Sequence, residues 1–235
     1  MPIFSFVQTK GGTGKTTLSQ GVACSKTFAK AFGKVALVEI DPQGTLADWI
    51  GERIANKRAL KNVAFHQLVG LDLGVLTSKL EKIVEENTAV ILDVPGESVG
   101  GFATKLALNL SDLVFIPMRT STNDEASFGR NLWPVIQESL RENKAAFHIV
   151  PTFIHPQTNT KNIQEYFRGI MPEQIDCLGS VLPFRSVFEN FSREGMTLAE
   201  YSASVKGNNR LHAQAKKAEI DMETIAQEIV KLTKE

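Results

Sequence analysis

The residues best equipped for chemistry stand near the start of the chain, in Thr9-Lys10-Gly11-Gly12-Thr13-Gly14-Lys15-Thr16-Thr17. The glycines allow a tight loop whose backbone N–H groups turn inward, and Gly14-Lys15-Thr16 closes it. Such a loop cradles phosphate oxygens. Its amides and the N-terminus of a following helix supply partial positive charge, Lys15 reaches the β- and γ-phosphates, and the Thr16 hydroxyl ligates Mg²⁺. A strict phosphate-loop pattern has glycine where Thr9 stands. The flanks nevertheless read as a strand (3–8) and a helix, the context the motif requires. Gly11, Gly12, Thr13, Gly14, Lys15, Thr16 and Thr17 are therefore the expected nucleotide-binding set.

Two carboxylates are placed to complete the loop. Asp93-Val94-Pro95-Gly96 follows an apolar run and reads as a Walker B aspartate with a turn that bends toward the γ-phosphate, so Asp93 is expected to hold Mg²⁺, through water. Asp41-Pro42-Gln43-Gly44 follows another apolar run in the same manner. In doubly wound sheets, ligands bind at the carboxyl ends of the strands.

The elements that must position these groups are legible as short apolar runs alternating with longer amphipathic stretches. Runs at 3–8, 35–40, 63–66, 89–94, 113–117, 147–154 and 178–182 read as strands buried on both faces. Leu76, Leu80, Ile83 and Val84 form one helical stripe between them, and Leu132, Val135, Ile136 and Leu140 another. The order implies right-handed crossovers and an α/β fold with a doubly wound, mainly parallel sheet flanked by helices. At 235 residues, with no Pro/Ser linker or repeat, a single domain over 1–235 is expected, against about 100–200 residues for a typical domain.

Composition excludes other classes. With 43% hydrophobic and 22% charged residues the chain is neither disordered nor collagenous. Its 26 basic residues balance 26 acidic ones, so any polyanion must be held by a local patch. Cys24 and Cys177 stand far apart, without metal-ligand spacing, and read as small core hydrophobes in a reducing compartment. No signal segment and no membrane-length apolar run is present, so a cytoplasmic protein is expected.

Lys10 makes the loop unusual. With it the segment reads Lys-Gly-Gly-Thr-Gly-Lys-Thr, which resembles the deviant Walker A motif of the ParA/MinD superfamily. The resemblance implies a P-loop ATPase using ATP and Mg²⁺. It also implies that Lys10 reaches across a face-to-face homodimer and neutralises phosphate charge on the partner's nucleotide, much as an arginine finger does. The Asp-Pro-Gln-Gly segment resembles the superfamily's switch I, which implies that Asp41 positions the attacking water. Lys10, Lys15 and Asp41 are thus the expected catalytic set. Hydrolysis is expected to be slow, because besides Asp41 no residue stands out as a water-activating base. Glu39 departs from the aspartate common in the superfamily; it either binds a Mg²⁺-bound water or simply ends a strand.

Further along, Leu182-Pro183-Phe184-Arg185, then Ser192-Arg193-Glu194-Gly195 and Glu200-Tyr201, are similar to the superfamily's C-terminal stretch, whose strand end borders the adenine. Pro183 and Phe184 are thus expected at the base, Phe184 by stacking; a Pro-kinked loop with a packed aromatic is the alternative. Between 185 and 217 stand six basic residues, Arg185, Arg193, Lys206, Arg210, Lys216 and Lys217, against three acidic ones. Lys206 matches a basic position in the superfamily's DNA-facing region, so Arg185, Arg193, Lys206 and Arg210 are candidate DNA contacts, with a solvated charged face as the alternative. Arg53, Lys57, Arg58 and Lys61 read as an exposed helix face.

The resemblance implies an ATP-driven switch for plasmid or chromosome partition. The ATP dimer binds double-stranded DNA nonspecifically, is nucleoid-associated in that state, and lets go when a ParB-like or other adaptor stimulates hydrolysis. The size and layout are similar to the small partition ATPases, which lack an N-terminal helix-turn-helix, and to the ParA-like relaxosome protein of T-DNA transfer, so a protein cargo stays open. The acidic C-terminal amphipathic stretch, with Leu211, Ala215, Ala218, Met222, Ile225, Ile229 and Leu232 at helical spacing, is expected to dock on its own domain and not on a membrane. Small-molecule synthetases share the phosphate loop but lack the second lysine, and iron-protein electron transfer needs cluster cysteines this chain does not have.

Overall fold

The computed structural model describes residues 1–96, 101–142 and 145–234, and of Leu73 the backbone alone. Eight strands are present among them: β1 Ile3–Phe6, β2 Val35–Glu39, β3 Val63–Gln67, β4 Ala89–Asp93, β5 Leu113–Met118, β6 Ala146–Ile154, β7 Ile175–Cys177 and β8 Leu182–Pro183. They form one sheet in the order β3-β2-β4-β1-β5-β6-β7, with β8 pairing β6. Every pairing is parallel. A parallel sheet needs crossovers, and these are the helices α1 Lys15–Ala23, α2 Lys26–Phe32, α3 Thr45–Ala55, α4 Leu73–Glu86, α5 Phe102–Leu110, α6 Thr122–Ser127, α7 Trp133–Glu142 and α8 Thr160–Ile170. Short helices α9 Ser186–Asn190 and α10 Leu198–Ser204 lead into the long α11 Asn209–Leu232.

The period-two geometry of a strand splits the core in two. Phe4, Leu37, Ile91 and Phe115 face a layer built with α1, α2, α3 and α11, through Leu18, Phe28, Trp49 and Ile225. Ala36, Val90, Val114 and Ile116 face the other layer, with Leu76 of α4, Ala103 of α5, Ile136 of α7 and Phe167 of α8. Both expected helical stripes lie in this second layer. The C-terminal stripe docks on its own chain as expected: Ala215, Ala218, Met222, Ile225 and Ile229 are buried. Met222 sits so near Gly21 of α1 that a Cβ there would lie 2.4 Å from its methyl carbon, so glycine is what lets α11 approach the phosphate-loop helix.

Two expectations are corrected. β3 is only half-buried, because it is the edge of the sheet and one side lacks a neighbouring strand. Residues 178–182 are not one strand: β7 ends at Cys177 and β8 begins at Leu182. Between them the Gly179 and Ser180 amides donate to the Glu228 carboxylate of α11, at 2.6 and 2.8 Å, in place of a ladder partner.

Candidate nucleotide-binding site

β1 is central in the sheet, and the loop that follows it opens at the carboxyl ends of the strands. Gly12 and Gly14 take left-handed φ of 69° and 97°, which a side chain would strain. Gly14 ends the loop as the N-cap of α1. Gly11 and Gly12 are exposed, Thr13 and Lys15 buried, Thr16 and Thr17 half-buried. The amides of Gly12, Thr13 and Gly14 donate to no described residue and lie beside the N-terminus of α1. Lys15 Nζ donates to the Lys10 carbonyl at 3.3 Å, and burial lowers its pKa against the opposing pull of Asp93 and Asp41. Gly96 lies over this lysine: a Cβ on it would be 3.1 Å from Lys15 Nζ and 3.4 Å from the Gly11 nitrogen.

Asp93 ends β4 in register with Phe6 and Glu39. Its carboxylate is buried and accepts hydrogen bonds from Thr16 Oγ1 at 2.9 Å and Ser19 Oγ at 2.8 Å. Burial pushes its pKa up to about 7, against the stabilising hydroxyls and Lys15. The donor set fits Mg²⁺. It is all oxygen, it joins the two residues expected to hold the metal, and its buried carboxylate has hydroxyls and no cation as hydrogen-bond partners. No group of three or more His, Cys, Asp or Glu side chains suited to a metal occurs among the described residues, so a cation here would share its sphere with phosphate or water.

Asp41 is half-buried, with Oδ1 accepting from the Gln43 amide at 2.9 Å. Lys10 Nζ pairs with the buried carboxylate of Asp124 in α6, whose other oxygen accepts the Arg119 amide at 3.2 Å. The structure therefore brings Lys10, Lys15, Thr16, Asp41 and Asp93 to one end of the sheet. Glu39 is fully buried and accepts the amides of Leu46 and Ala47. Burial raises its pKa, and those two amides pull it back.

Two residues that sequence reasoning missed stand beside the loop. Phe153 is the bulged residue where the β6–β8 register shifts between Thr152 and Ile154, and its φ of 56° is unusual for a bulky side chain. The bulge sets the ring 3.7 Å from where a Gly14 Cβ would be and 6.3 Å, centroid to centroid, from the half-exposed Phe184. The Arg119 guanidinium lies 4.4 Å over the Phe153 ring and donates to the Gly12 carbonyl. Pro183 is buried at the end of β8 and precedes Phe184 in the chain. The only sequence signal for Arg119 was its place just past a strand end, where ligands bind; nothing marked Phe153.

The basic candidates separate. Arg193, Lys206 and Arg210 are exposed. Arg185 is engaged with Asp221 of α11 and only 19% exposed, and Lys216 pairs with Glu219 at 2.7 Å. Arg53 corrects the expectation of an exposed helix face. It is 2% exposed, lies 5.2 Å over Trp49, and donates to the Gly195 and Ala59 carbonyls and to both oxygens of Glu200. Gly195 approaches so closely that a Cβ would meet the Arg53 nitrogen at 2.4 Å, which accounts for the glycine in Ser-Arg-Glu-Gly. Cys24 lies in this packing, and burial pushes its thiol up to about 12, as suits an inert core residue.

A phosphate loop after the central strand of a doubly wound parallel sheet, with an aspartate bridged to its threonine, defines a P-loop nucleotide-binding protein. Residues 4–198 match the family described as the CobQ/CobB/MinD/ParA nucleotide binding domain, and the chain belongs to that family. It is 28% identical over 201 residues to a protein named ParA from Rhizobium radiobacter, covering 84% of this chain and 85% of that one. Solved structures share the fold. The MinC:MinD cell division complex of Aquifex aeolicus superposes with a TM-score of 0.67 at 15% identity, covering 100% of this chain and 97% of that one. Cobyrinic acid a,c-diamide synthase of Mycobacterium smegmatis, with ATP analogue and magnesium bound, gives 0.63 at 16%, covering 89% and 97%. No described helix is long and apolar enough to cross a membrane.

Proposed function

We propose that the chain is a Mg²⁺-dependent ATPase that dimerises around ATP and acts as a nucleotide switch for DNA partition. The observation that carries the reading is the combination, at one end of the sheet, of a loop with free amides, the Thr16–Asp93 pair and a second lysine, Lys10, at the loop entrance. In this reading the amides from Gly11 to Thr17 and Lys15 bind phosphate. Thr16 and Asp93 hold the metal, which neutralises phosphate charge when bound. Asp41 orients the attacking water. Lys10 leaves Asp124 and completes the partner's site, a role that also separates the chain from synthetases with a single loop lysine. The base stacks on Phe184 above Pro183, with Phe153 and Arg119 at its flank.

For DNA the reading relies on Arg193, Lys206 and Arg210, since Arg185 is already paired. Dimerisation doubles this patch, and each phosphate contact adds salt-dependent affinity, so weak monomer binding becomes strong dimer binding. The Arg53–Glu200 clamp, with Trp49 Nε1 donating to the Met196 carbonyl at 3.0 Å, gives α3 a contact path from switch I toward α10 and this patch. A ParB-like or other adaptor would stimulate hydrolysis and release DNA. The test is retention of Asp41→Ala on nonspecific duplex DNA across a salt series, with Mg²⁺-ATP or ADP and with Lys10→Ala as control. ATP-dependent, salt-sensitive, Lys10-dependent retention is expected; no retention in any state would sink the DNA reading and favour a protein cargo.

A further inference from the structure

Glu39 is absorbed by none of these roles, and its surroundings differ from those of a metal ligand. We propose that Glu39 is a positioning residue for hydrolysis, clamping the first turn of α3 to the end of β2 and so fixing the loop 40–44 that carries Asp41. The inference rests on the ATPase reading.

Helix α3 begins after Gly44, which has a left-handed φ of 70° and no side chain to cap the helix. The first-turn amides therefore need an acceptor from elsewhere. Glu39 supplies it: Oε1 accepts the Leu46 amide at 2.7 Å and Oε2 the Ala47 amide at 3.1 Å. Gln67 of β3 adds a bond to Oε2 at 3.3 Å. The hydrogen-bond partners of this fully buried carboxylate are all neutral, so the positive end of α3, helped by Gln67, is what stabilises the anion. The start of the loop is pinned too, since the Ile40 amide donates to the Asp93 carbonyl at 3.0 Å and the Leu68 amide to the Glu39 carbonyl at 2.9 Å. Between these fixed points the Gly44 amide closes onto the Asp41 carbonyl at 3.2 Å. Both Glu39 oxygens are aimed at α3. An aspartate, shorter by about 1.5 Å of chain, would not reach both amides, which gives a physical reason for the glutamate.

The test uses Glu39→Gln, nearly isosteric but with one acceptor oxygen, and Glu39→Asp, with Asp41→Ala as the inactive control. In nucleotide-free protein, hydrogen exchange across 42–47 should quicken about tenfold in both variants, as expected when a hydrogen bond to a buried charged group is lost. Single-turnover hydrolysis should slow by about tenfold or more, most in Glu39→Asp, while the half-saturating Mg²⁺ concentration stays within about twofold of wild type. Two results overturn the proposal alone: rates restored by added Mg²⁺, which would make Glu39 a metal-shell residue, or unchanged hydrolysis despite quickened exchange, which would leave it a helix cap. A wild-type chain that never turns over ATP overturns the ATPase reading together with the catalytic half of this one.

Discussion

Burial of Asp93 makes metal-free stability and metal binding pull in opposite directions, and Asp93→Asn exposes the conflict. The carboxyl titrates near 7 in the folded chain against 3.8 ordinarily, because burial penalises its charge. A folded-state pKa raised in this way contributes stability below pH 4 that is lost as pH rises toward 7. At about 1.4 kcal/mol per pH unit the loss totals about 4 kcal/mol by pH 8, an upper bound. Asparagine mimics the neutral acid and can still bond Thr16 and Ser19. In EDTA the variant should therefore equal wild type only below about pH 4, exceed it by about 1.5 kcal/mol at pH 5 and by up to about 4 kcal/mol at pH 8. Urea denaturation at half-unit pH steps, with both proteins in the same buffers, measures the difference and cancels groups common to both. Added Mg²⁺-ATP should then stabilise wild type more than the variant, which keeps the phosphate loop but loses the carboxylate proposed to hold the metal. A difference that is flat from pH 5 to 8, or a variant less stable at pH 8, would refute the reasoning.

Gly195→Ala should lose about 2–4 kcal/mol, since its Cβ would overlap the Arg53 backbone at a left-handed φ of 69°. Gly207→Ala, with open space around it, should stay within about 0.5 kcal/mol of wild type in the same urea titration. Phe153→Ala and Phe184→Ala should each weaken ATP binding by roughly 5- to 30-fold without affecting tripolyphosphate, which has no base; equal losses for both ligands by calorimetry would refute a base platform. Lys206→Ala with Arg210→Ala should reduce the slope of log affinity for DNA against log salt by about 1 for each lost phosphate contact, whereas Arg185→Ala, already paired with Asp221, should leave it unchanged.

The sheet and the phosphate loop were legible because their signals are local. Apolar runs of strand length announce a parallel sheet, and glycine spacing announces a loop that needs φ values of 69° and 97°. Thr16 and Asp93 were expected at one site because the helix that opens after the phosphate loop and the end of β4 lie at the same end of the sheet. Phe153 was hidden because its bulge arises from the pairing of β6 with β8, and β8 lies well downstream in sequence. Arg53 was misread by its charge. It shares the helical face of Leu46 and Trp49, a spacing that argued for burial, but its partner Glu200 lies too far along the chain for sequence to pair them. Glu39 could not be resolved from sequence because both of its readings place a carboxylate at a strand end. Only the uncapped Gly44 and the approach of Leu46 and Ala47 decide what it touches.

In the proposed switch ATP joins two copies of this chain through Lys10. Light-scattering mass of Asp41→Ala after size exclusion, with Mg²⁺-ATP, with ADP and in the Lys10→Ala background, tests it most directly. Twice the 25.8 kDa chain mass is expected with ATP alone, and the single-chain mass with ADP or without Lys10. A single-chain mass in all three conditions, or a dimer indifferent to nucleotide and to Lys10, would contradict it.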